Sequence, residues 1–343
     1  MSGKPERSIE SGHATFSRTL FVCGVLLTLL AVIFIIASLV GSQRLPLTSS
    51  LCALTGKSDC GLSSEQQAIL FDLRLPRILL AGAVGMSLAA AGAGYQALLR
   101  NPLAEPYLLG VSNGAAVGTM TALVFFGVHE WSRPVMAFAG ALLATLVVYR
   151  LARGRAGATP ERLILAGVIV TTFLSSAIVF ITTLMDATRI RSFTFWLLGD
   201  LSGTTSSLLT IGLAATGVGV AVLALNARSL NLLMLGERDA FDLGVEVGRV
   251  RITVFVAASL LVGASVASSG SVGYVGLVVP HLVRLSFGSD NRVVIVASAL
   301  AGAAFVIVAD TIARTIIAPR ELPVGAITAL IGAPLFIYLL KKG

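Results

Sequence analysis

Charged side chains are scarce in this sequence. Asp, Glu, Lys and Arg make up 12% of the 343 residues, whereas hydrophobic residues make up 56%. A soluble globular domain carries about 25% charged residues, so this chain has about half the usual share. Burial in a large aqueous core would not remove charge from whole stretches of about 20 residues, the length that crosses a bilayer. The composition therefore excludes an ordinary soluble protein and predicts an integral membrane protein.

The chain also lacks the basic runs that nucleic-acid-binding proteins carry. Its formal net charge is +8, but its Lys and Arg residues sit in short clusters between apolar stretches. This distribution is typical of membrane topology, in which basic residues concentrate in cytoplasmic loops. We therefore expect no nucleic-acid partner.

Cysteine and histidine are too few to build a disulfide scaffold or a metal centre. The sequence has 3 Cys and 3 His, and the histidines lie in unrelated segments without metal-ligand spacing. Cys52 and Cys60 share a polar loop and would pair only in an oxidising compartment, so both states stay open. No cluster of His and carboxylate residues suggests catalysis. We expect neither an enzyme nor a cofactor bound by this chain.

Apolar stretches of about 20 residues, each long enough to cross a hydrocarbon core, recur along the chain. We predict ten spans, at about 19–40, 78–99, 106–128, 134–149, 163–185, 206–225, 252–270, 272–283, 293–313 and 322–340. The segment 272–283 is short, so it either crosses among its neighbours or is re-entrant. Ten crossings place more Lys and Arg in cytoplasmic segments than nine do. We therefore expect an all-α membrane protein with both termini in the cytoplasm, residues 1–18 forming a tail and 19–340 a single transmembrane domain.

One acidic residue, Asp310, lies well inside a predicted span, and Arg314 follows it one turn later. Acidic residues at this depth usually mark proton or ion pathways. A pair spaced by four residues on a helix can neutralise itself locally, however. The sequence favours a structural pair over ion coupling, and an ion-coupled secondary transporter stays as the alternative.

The segment 226–251 cannot span the membrane, yet two short amphipathic stretches flank Gly236 within it. Apolar residues recur there at helical spacing: Leu230, Leu233, Met234 and, after a charged half-turn, Phe241. An amphipathic helix buries its apolar face against a partner groove or a membrane surface. Mixed charge without a basic excess favours a protein partner.

Several motifs together carry a resemblance to a known family. They are Arg74-Leu75-Pro76-Arg77, Asn101-Pro102-Leu103-Ala104-Glu105-Pro106, Leu109-Gly110-Val111-Ser112-Asn113-Gly114, Leu235-Gly236-Glu237 and Gly276-Leu277-Val278-Val279-Pro280-His281. These stretches resemble the signatures of the FecCD family, the permeases for iron-siderophore, haem and vitamin B12 import. The resemblance runs from about residue 15 to 340.

The resemblance implies a type II ABC importer permease fold in a bacterial inner membrane. It implies a second permease copy (a homodimer), two cytoplasmic ABC ATPases that hold ATP and Mg, and a substrate-binding protein outside. The expected function is ATP-driven import of a metal chelate, with ion-coupled secondary transport as the alternative.

The resemblance also assigns roles to individual residues. The expected ATPase-coupling residues are Leu230, Leu233, Met234, Leu235, Gly236, Glu237, Arg238, Asp239 and Phe241. The expected docking residues for the binding protein are Arg74, Arg77 and Arg314. The expected cytoplasmic gate comprises Asn101, Pro102, Leu103, Pro160 and Glu161. Pro160 and Glu161 stand where a family member has small hydroxyl residues, so the position of this loop carries over but its gate chemistry does not.

Overall fold

The computed structural model describes residues 16–41, 43, 45–56, 60–126, 131–154 and 157–342. Most of this chain is helical. The helices, numbered in chain order, are α1 (Phe16–Leu39), α2 (Leu47–Leu54), α3 (Ser64–Ala68), α4 (Leu75–Leu98), α5 (Val111–Phe125), α6 (Ser132–Ala152), α7 (Pro160–Thr182), α8 (Ala187–Leu197), α9 (Ser206–Leu225), α10 (Ala227–Leu235), α11 (Glu237–Asp242), α12 (Val247–Ser269), α13 (Val275–Phe287), α14 (Asn291–Thr315) and α15 (Val324–Lys342).

Short irregular elements complete the described chain. A π-helical segment, Ile69–Arg74, runs into α4, and a 3₁₀ turn, Pro106–Leu109, precedes α5. Strands β1 (Arg153–Gly154) and β2 (Gly157–Ala158) pair antiparallel between α6 and α7.

The ten predicted spans correspond to ten apolar helices, which confirms the all-α membrane fold. These helices are α1, α4, α5, α6, α7, α9, α12, α13, α14 and α15. Seven described helices are long and apolar enough by themselves to cross a membrane, whereas the apolar parts of α5, α13 and α15 are shorter. Of the predicted tail 1–18, residues 1–15 lie outside the described residues. Residues 127 and 128, the end of the third predicted span, also lie outside them.

The centre of the bundle is built from small residues that let helices approach closely. Helices α4 and α14 meet at Gly85 and Gly302, where a Cβ on either glycine would collide with the backbone of the other helix. Helices α5 and α6 meet in the same way at Gly114 and Gly140. Lipid supplies no hydrophobic drive for helices to associate, so this close packing holds the bundle together.

The outer helices expose apolar side chains, as lipid contact requires. Phe21 on α1, Phe173 on α7 and Leu225 on α9 are at least two-thirds exposed. The central helices α4 and α14 are mostly buried. The described chain therefore has a tight core of small residues and an apolar outer surface, the arrangement that a bilayer favours.

The structure adds three features that the sequence left open or missed. Helix α8 is amphipathic and was not predicted; Asp186 caps its first turn. Helix α13 begins at Val275, after Tyr274 in a left-handed conformation. The helix therefore starts three residues later than the eighth predicted span, 272–283. Cys52 and Cys60 form a disulfide, which resolves the alternative that the sequence left open.

Candidate functional site

Helices α10 and α11 form the predicted coupling segment, at the end of the bundle where α9 ends and α12 begins. They meet at Gly236, whose φ of 141° lies in a region that residues with a Cβ rarely adopt. Leu230 and Leu233 are buried against the bundle. Their contacts lie within the chain, so the apolar face predicted from helical spacing is only partly available to a partner.

Four other apolar side chains of this segment form an exposed surface, here called the apolar patch. They are Met234 (41% exposed), Leu235 (66%), Phe241 (71%) and Leu243 (61%). Arg238 and Asp239 lie beside them and are also exposed. A concentrated apolar patch with a polar rim is typical of a protein interaction surface.

Helix α10 is fastened to the start of α14 through Asn231. Its Nδ2 donates to Asp290 Oδ1 (2.7 Å), and its Oδ1 accepts from the backbone N of Asn291 (2.9 Å). Burial raises the pKa of Asp290, but hydrogen bonds from Arg292 and Asn231 outweigh that effect and bring the pKa to about 2. The carboxylate is therefore ionised at neutral pH and accepts the hydrogen bond from Asn231 of α10.

Glu237, the first residue of α11, contacts two arginines of its own chain. Its Oε1 accepts a hydrogen bond from Arg251 Nη2 (2.5 Å) and lies 3.7 Å from Arg100 Nη2. Arg251 belongs to α12 and is buried, whereas Arg100 follows the end of α4 and is partly exposed. The carboxylate thus joins the coupling segment to two other parts of the bundle.

The first predicted gate segment directly follows Arg100. Asn101 Oδ1 accepts from the backbone N of Leu103 (2.9 Å), which fixes a tight turn of the kind that Asn favours. Pro102 and Leu103 are exposed. This turn therefore presents an apolar tip next to the residue that contacts Glu237.

The second predicted gate segment lies at the start of α7. Pro160 is buried as the first helical residue, and Glu161 is exposed in the first turn. Proline is favoured at this position because its φ suits the helix and its missing N–H is not needed there. Arg100 and Arg251 interact electrostatically with Glu161. Among the described residues, Glu161 forms no ion pair with either arginine, so both guanidinium groups lie closer to Glu237 than to Glu161.

At the opposite end of the bundle, Arg77 and Arg314 converge on Asp310. Arg77 Nε donates to Asp310 Oδ1 (3.0 Å), and Arg314 Nε lies 2.9 Å from Oδ2 without the alignment of a hydrogen bond. Arg77 also donates to Glu321 Oε2 (2.7 Å). Asp310 is fully buried, so its charge depends on these two arginines. The local pair with Arg314 agrees with the sequence interpretation, while Arg77 adds a partner from another helix.

Arg74, one of the three predicted docking arginines, forms hydrogen bonds to backbone carbonyl oxygens of its own chain. It is buried, and its guanidinium donates to the carbonyl oxygens of Ser38 (3.0 Å), Leu39 (3.3 Å) and Gln43 (2.7 Å). The last carbonyls of a helix have no partner within that helix, and Arg74 satisfies them at the end of α1. Its donors are therefore used within the chain.

A depression of about 330 Å³ opens at this end of the bundle, with Arg74, Arg77, Arg314 and Glu321 in its lining. Of the three arginines, Arg77 is the most exposed, at 12% of its side chain. Within the described residues, no three His, Cys, Asp or Glu side chains gather into a group that could hold a metal ion.

A family model described as the FecCD transport family matches residues 29–342 of this sequence. The chain belongs to the FecCD transport family. This FecCD permease is a membrane transport subunit and not an enzyme, and the predicted resemblance is confirmed. As a multi-pass membrane protein of this family, it is one subunit of an ABC transporter assembly.

Named relatives cover most of this FecCD permease. The cobalamin import system permease BtuC of Halobacterium salinarum is 42% identical over 300 residues, covering 88% of this chain and 80% of that protein. The hemin transport system permease HmuU of Yersinia pestis is 39% identical over 279 residues, covering 80% and 83%. A solved metal-chelate-type ABC transporter in an inward-facing conformation has a TM-score of 0.82 at 30% identity, covering 95% of this chain and 100% of that chain.

Sequence reasoning missed several contacts of this FecCD permease. Nothing in the sequence pointed to Asn231, Arg100 or Arg251 as partners of the coupling segment. The pair Asp290-Asn291, an acidic cap at the start of a predicted span, was a detectable signal for a helix start. Its contact with α10 is between residues 59 positions apart and could not be read from spacing.

Proposed function

We propose that this permease forms the translocation path of an ATP-driven importer for a large metal chelate: an iron-siderophore, haem or cobalamin. Two copies of the chain would enclose the path in a bacterial inner membrane, with both termini in the cytoplasm. Two cytoplasmic ATPases would bind ATP and Mg, and a substrate-binding protein would deliver the cargo from outside. The chain itself would bind no cofactor.

The observation that carries this proposal is the apolar patch on α10 and α11. Met234, Leu235 and Phe241 stay exposed on short helices beyond the spans, and no other part of the described chain covers them. A partner that covers the patch would bury apolar area, which stabilises the complex by about 25 cal/mol per Å² before association costs. An ATPase groove is the partner chemistry that fits two short helices with a mixed-charge rim.

The opposite end supports docking of a binding protein with acidic surface residues. Arg77 and Arg314 both line the depression. Glu321 already forms an ion pair with Nη1 of the Arg77 guanidinium. An incoming carboxylate would take the place of Glu321. Exposed charge pairs of this kind set orientation and association rate more than affinity. Arg74 would contribute through its positive charge, since its donors are used by α1.

The alternative, an ion-coupled secondary transporter, has less support. Such a transporter needs an ionisable group free to bind the coupling ion near mid-membrane. Asp310 is bridged by both Arg77 and Arg314. Release of Asp310 for ion binding would leave the buried Arg314 guanidinium without its counter-charge and Arg77 with Glu321 alone.

The test is reconstitution of the permease in liposomes with a candidate ABC ATPase and a candidate binding protein. Cobalamin, haemin and a ferric hydroxamate are offered as cargo. The double variant Gly236→Pro, Glu237→Lys and the single variant Phe241→Ser are compared with wild type. Leu285→Ser is the control, because Leu285 is similarly exposed (64%) on α13.

We expect uptake that needs all three components and ATP. Uptake should fall in Phe241→Ser with the fold retained, which makes this the decisive variant. Uptake should collapse in the double variant, which also forces Gly236 away from its φ of 141° and places a lysine beside the buried Arg251. Uptake by the permease alone, driven by an ion gradient and unaffected by these changes, would overturn the importer and favour the secondary transporter.

A further inference from the structure

Glu237 is the one acidic residue of the coupling helices that contacts buried charge within the chain. Asp239 and Asp242 on the same short helix are exposed. Glu237 instead bridges Arg251 and Arg100. Its contacts therefore point into the permease and not to a partner protein.

Arg251 needs this carboxylate. Its residue surface is only 7% exposed, and a buried guanidinium is stable only when paired or hydrogen-bonded. Among the described residues, Glu237 is the carboxylate that lies within ion-pair distance of Arg251, at 2.5 Å. Removal of the Glu237 charge would therefore act directly on the first turns of α12.

Arg100 occupies a backbone position that favours glycine. Helix α4 ends with hydrogen bonds from Arg100 N to Ala97 O (3.3 Å) and from Asn101 N to Gln96 O (3.1 Å), the pattern of a Schellman motif. The φ of Arg100 is +49°, in the left-handed region where glycine is the usual residue. A strained residue often marks a functional constraint, and here the side chain is the one that reaches Glu237.

Glu161 completes the set, here called the Glu237 cluster: Arg100, Glu161, Glu237 and Arg251. Both arginines interact electrostatically with Glu161, which begins the second gate segment. Glu237 thus connects α11 to α12 and to the turn Asn101–Leu103, while Glu161 at the start of α7 interacts with the two guanidinium groups only beyond ion-pair distance. The longer contact, 3.7 Å between Arg100 and Glu237, is the one that a small shift of α11 would break first.

We propose that Glu237 is a positioning residue that passes a movement of α11 to the first gate segment, the Asn101–Leu103 turn. In the state described here it holds Arg251 and Arg100. A shift of α11 would release Arg100 and move the Asn101–Leu103 turn with it. This inference rests on the proposed function, because it assigns the step between an ATPase contact at the apolar patch and the gate.

The transport test compares Glu237→Gln, Arg100→Gln and the combined variant in the reconstituted importer. Each single variant should lower cargo transported per ATP hydrolysed by about tenfold, within the range of coupling between sites. The combined variant should be no worse than Glu237→Gln alone, because Glu237→Gln already removes the contact that the two residues share. Glu246→Gln is the matched control, since Glu246 pairs with Arg249 at 3.6 Å on the surface of the same region.

Hydrogen–deuterium exchange in the purified permease gives a readout that needs no transport. Amides of residues 99–104 should exchange faster in Glu237→Gln than in wild type or Glu246→Gln. Unchanged exchange would overturn the inference even where the importer works. Loss of ATPase co-purification in Glu237→Gln would make Glu237 a partner contact and would also overturn it. Wild-type permease without ATP-driven uptake would reject the proposed function, while the exchange result still decides the internal link.

Discussion

Each end of the bundle has a carboxylate between two arginines, and the two sites differ in burial. Asp310 is fully buried, and its partners Arg77 and Arg314 are 12% and 6% exposed. Glu237 is 40% exposed, with Arg251 at 9% and Arg100 at 40%. Helix α4 runs between the sites, with Arg77 near its start and Arg100 past its end, so about 35 Å separates them at 1.5 Å per residue.

This difference in burial indicates what each site is able to do. A buried ion cannot lose its partner without leaving an uncompensated charge, which costs about 3–5 kcal/mol. An exposed pair contributes about 0.2–1 kcal/mol and exchanges partners easily. The Asp310 site is therefore suited to fixing α4 against α14. The contact between Arg100 and Glu237, in which both side chains are 40% exposed, is suited to breaking during a transport cycle.

The largest expected effect is on the buried site. Asp310→Ala should lower the free energy of unfolding by about 3–5 kcal/mol, because two buried guanidinium groups lose their shared counter-charge. Thermal unfolding of the detergent-solubilised permease measures this, with Asp72→Ala, an exposed acidic residue, as control. The combined change of Asp310, Arg77 and Arg314 to Met should be less harmful than Asp310→Ala, since it removes every buried charge. Equal melting temperatures for Asp310→Ala and the control would contradict the comparison.

A smaller effect is expected where α4 ends. Arg100→Gly should be more stable than Arg100→Ala by about 1 kcal/mol, because glycine adopts the left-handed φ without the clash of a Cβ. Both variants should lose coupling in the transport assay, since neither reaches Glu237. Equal stability of the two variants would show that the backbone at Arg100 is not strained.

Glu237→Gln should lower stability by about 1 kcal/mol, less than Asp310→Ala, because the Gln side-chain oxygen still accepts a hydrogen bond from the buried Arg251 and the replaced carboxylate is partly exposed. The difference from wild type should shrink between low and high salt, as screening weakens exposed charge pairs. Unfolding measured at two salt concentrations checks both points. A loss as large as that of Asp310→Ala would remove the distinction between the two sites.

The smallest stability effect is expected for Glu321→Gln, within about 0.5 kcal/mol, because Glu321 is 39% exposed. This variant removes the negative charge that pairs with Nη1 of Arg77, so that an incoming carboxylate meets less competition there. The dissociation constant of the binding protein should therefore fall about threefold, the size expected for an exposed charge pair. Surface plasmon resonance with Glu65→Gln as control measures it, and weaker or unchanged binding would argue against docking at Arg77.

Many features of the fold were predictable from residues near one another in sequence. The ten spans follow from long uncharged stretches, and the short helices around Gly236 follow from apolar spacing within a polar segment. Helix α8 was missed because its few apolar residues alternate with charged ones such as Arg189 and Arg191, which gives no span signal.

The candidate site was predictable in its parts and not in its contacts. The motifs placed Glu237, Asn101 and Glu161 in coupling or gate segments, but no spacing rule connects them. Leu230 and Leu233 had the same apolar spacing as Met234, and only the packed structure separates the buried pair from the exposed residue.

By itself, the sequence determined that this protein lies in a membrane, where its spans begin and end within a few residues, and which family it belongs to. The bilayer determines the local composition of each span, because a span must be apolar and must form all its backbone hydrogen bonds within its own helix. Only the tertiary structure decided which charges meet. Arg77 and Asp310 are 233 positions apart, and their contact depends on how α4 and α14 pack through glycine, which sequence spacing does not encode.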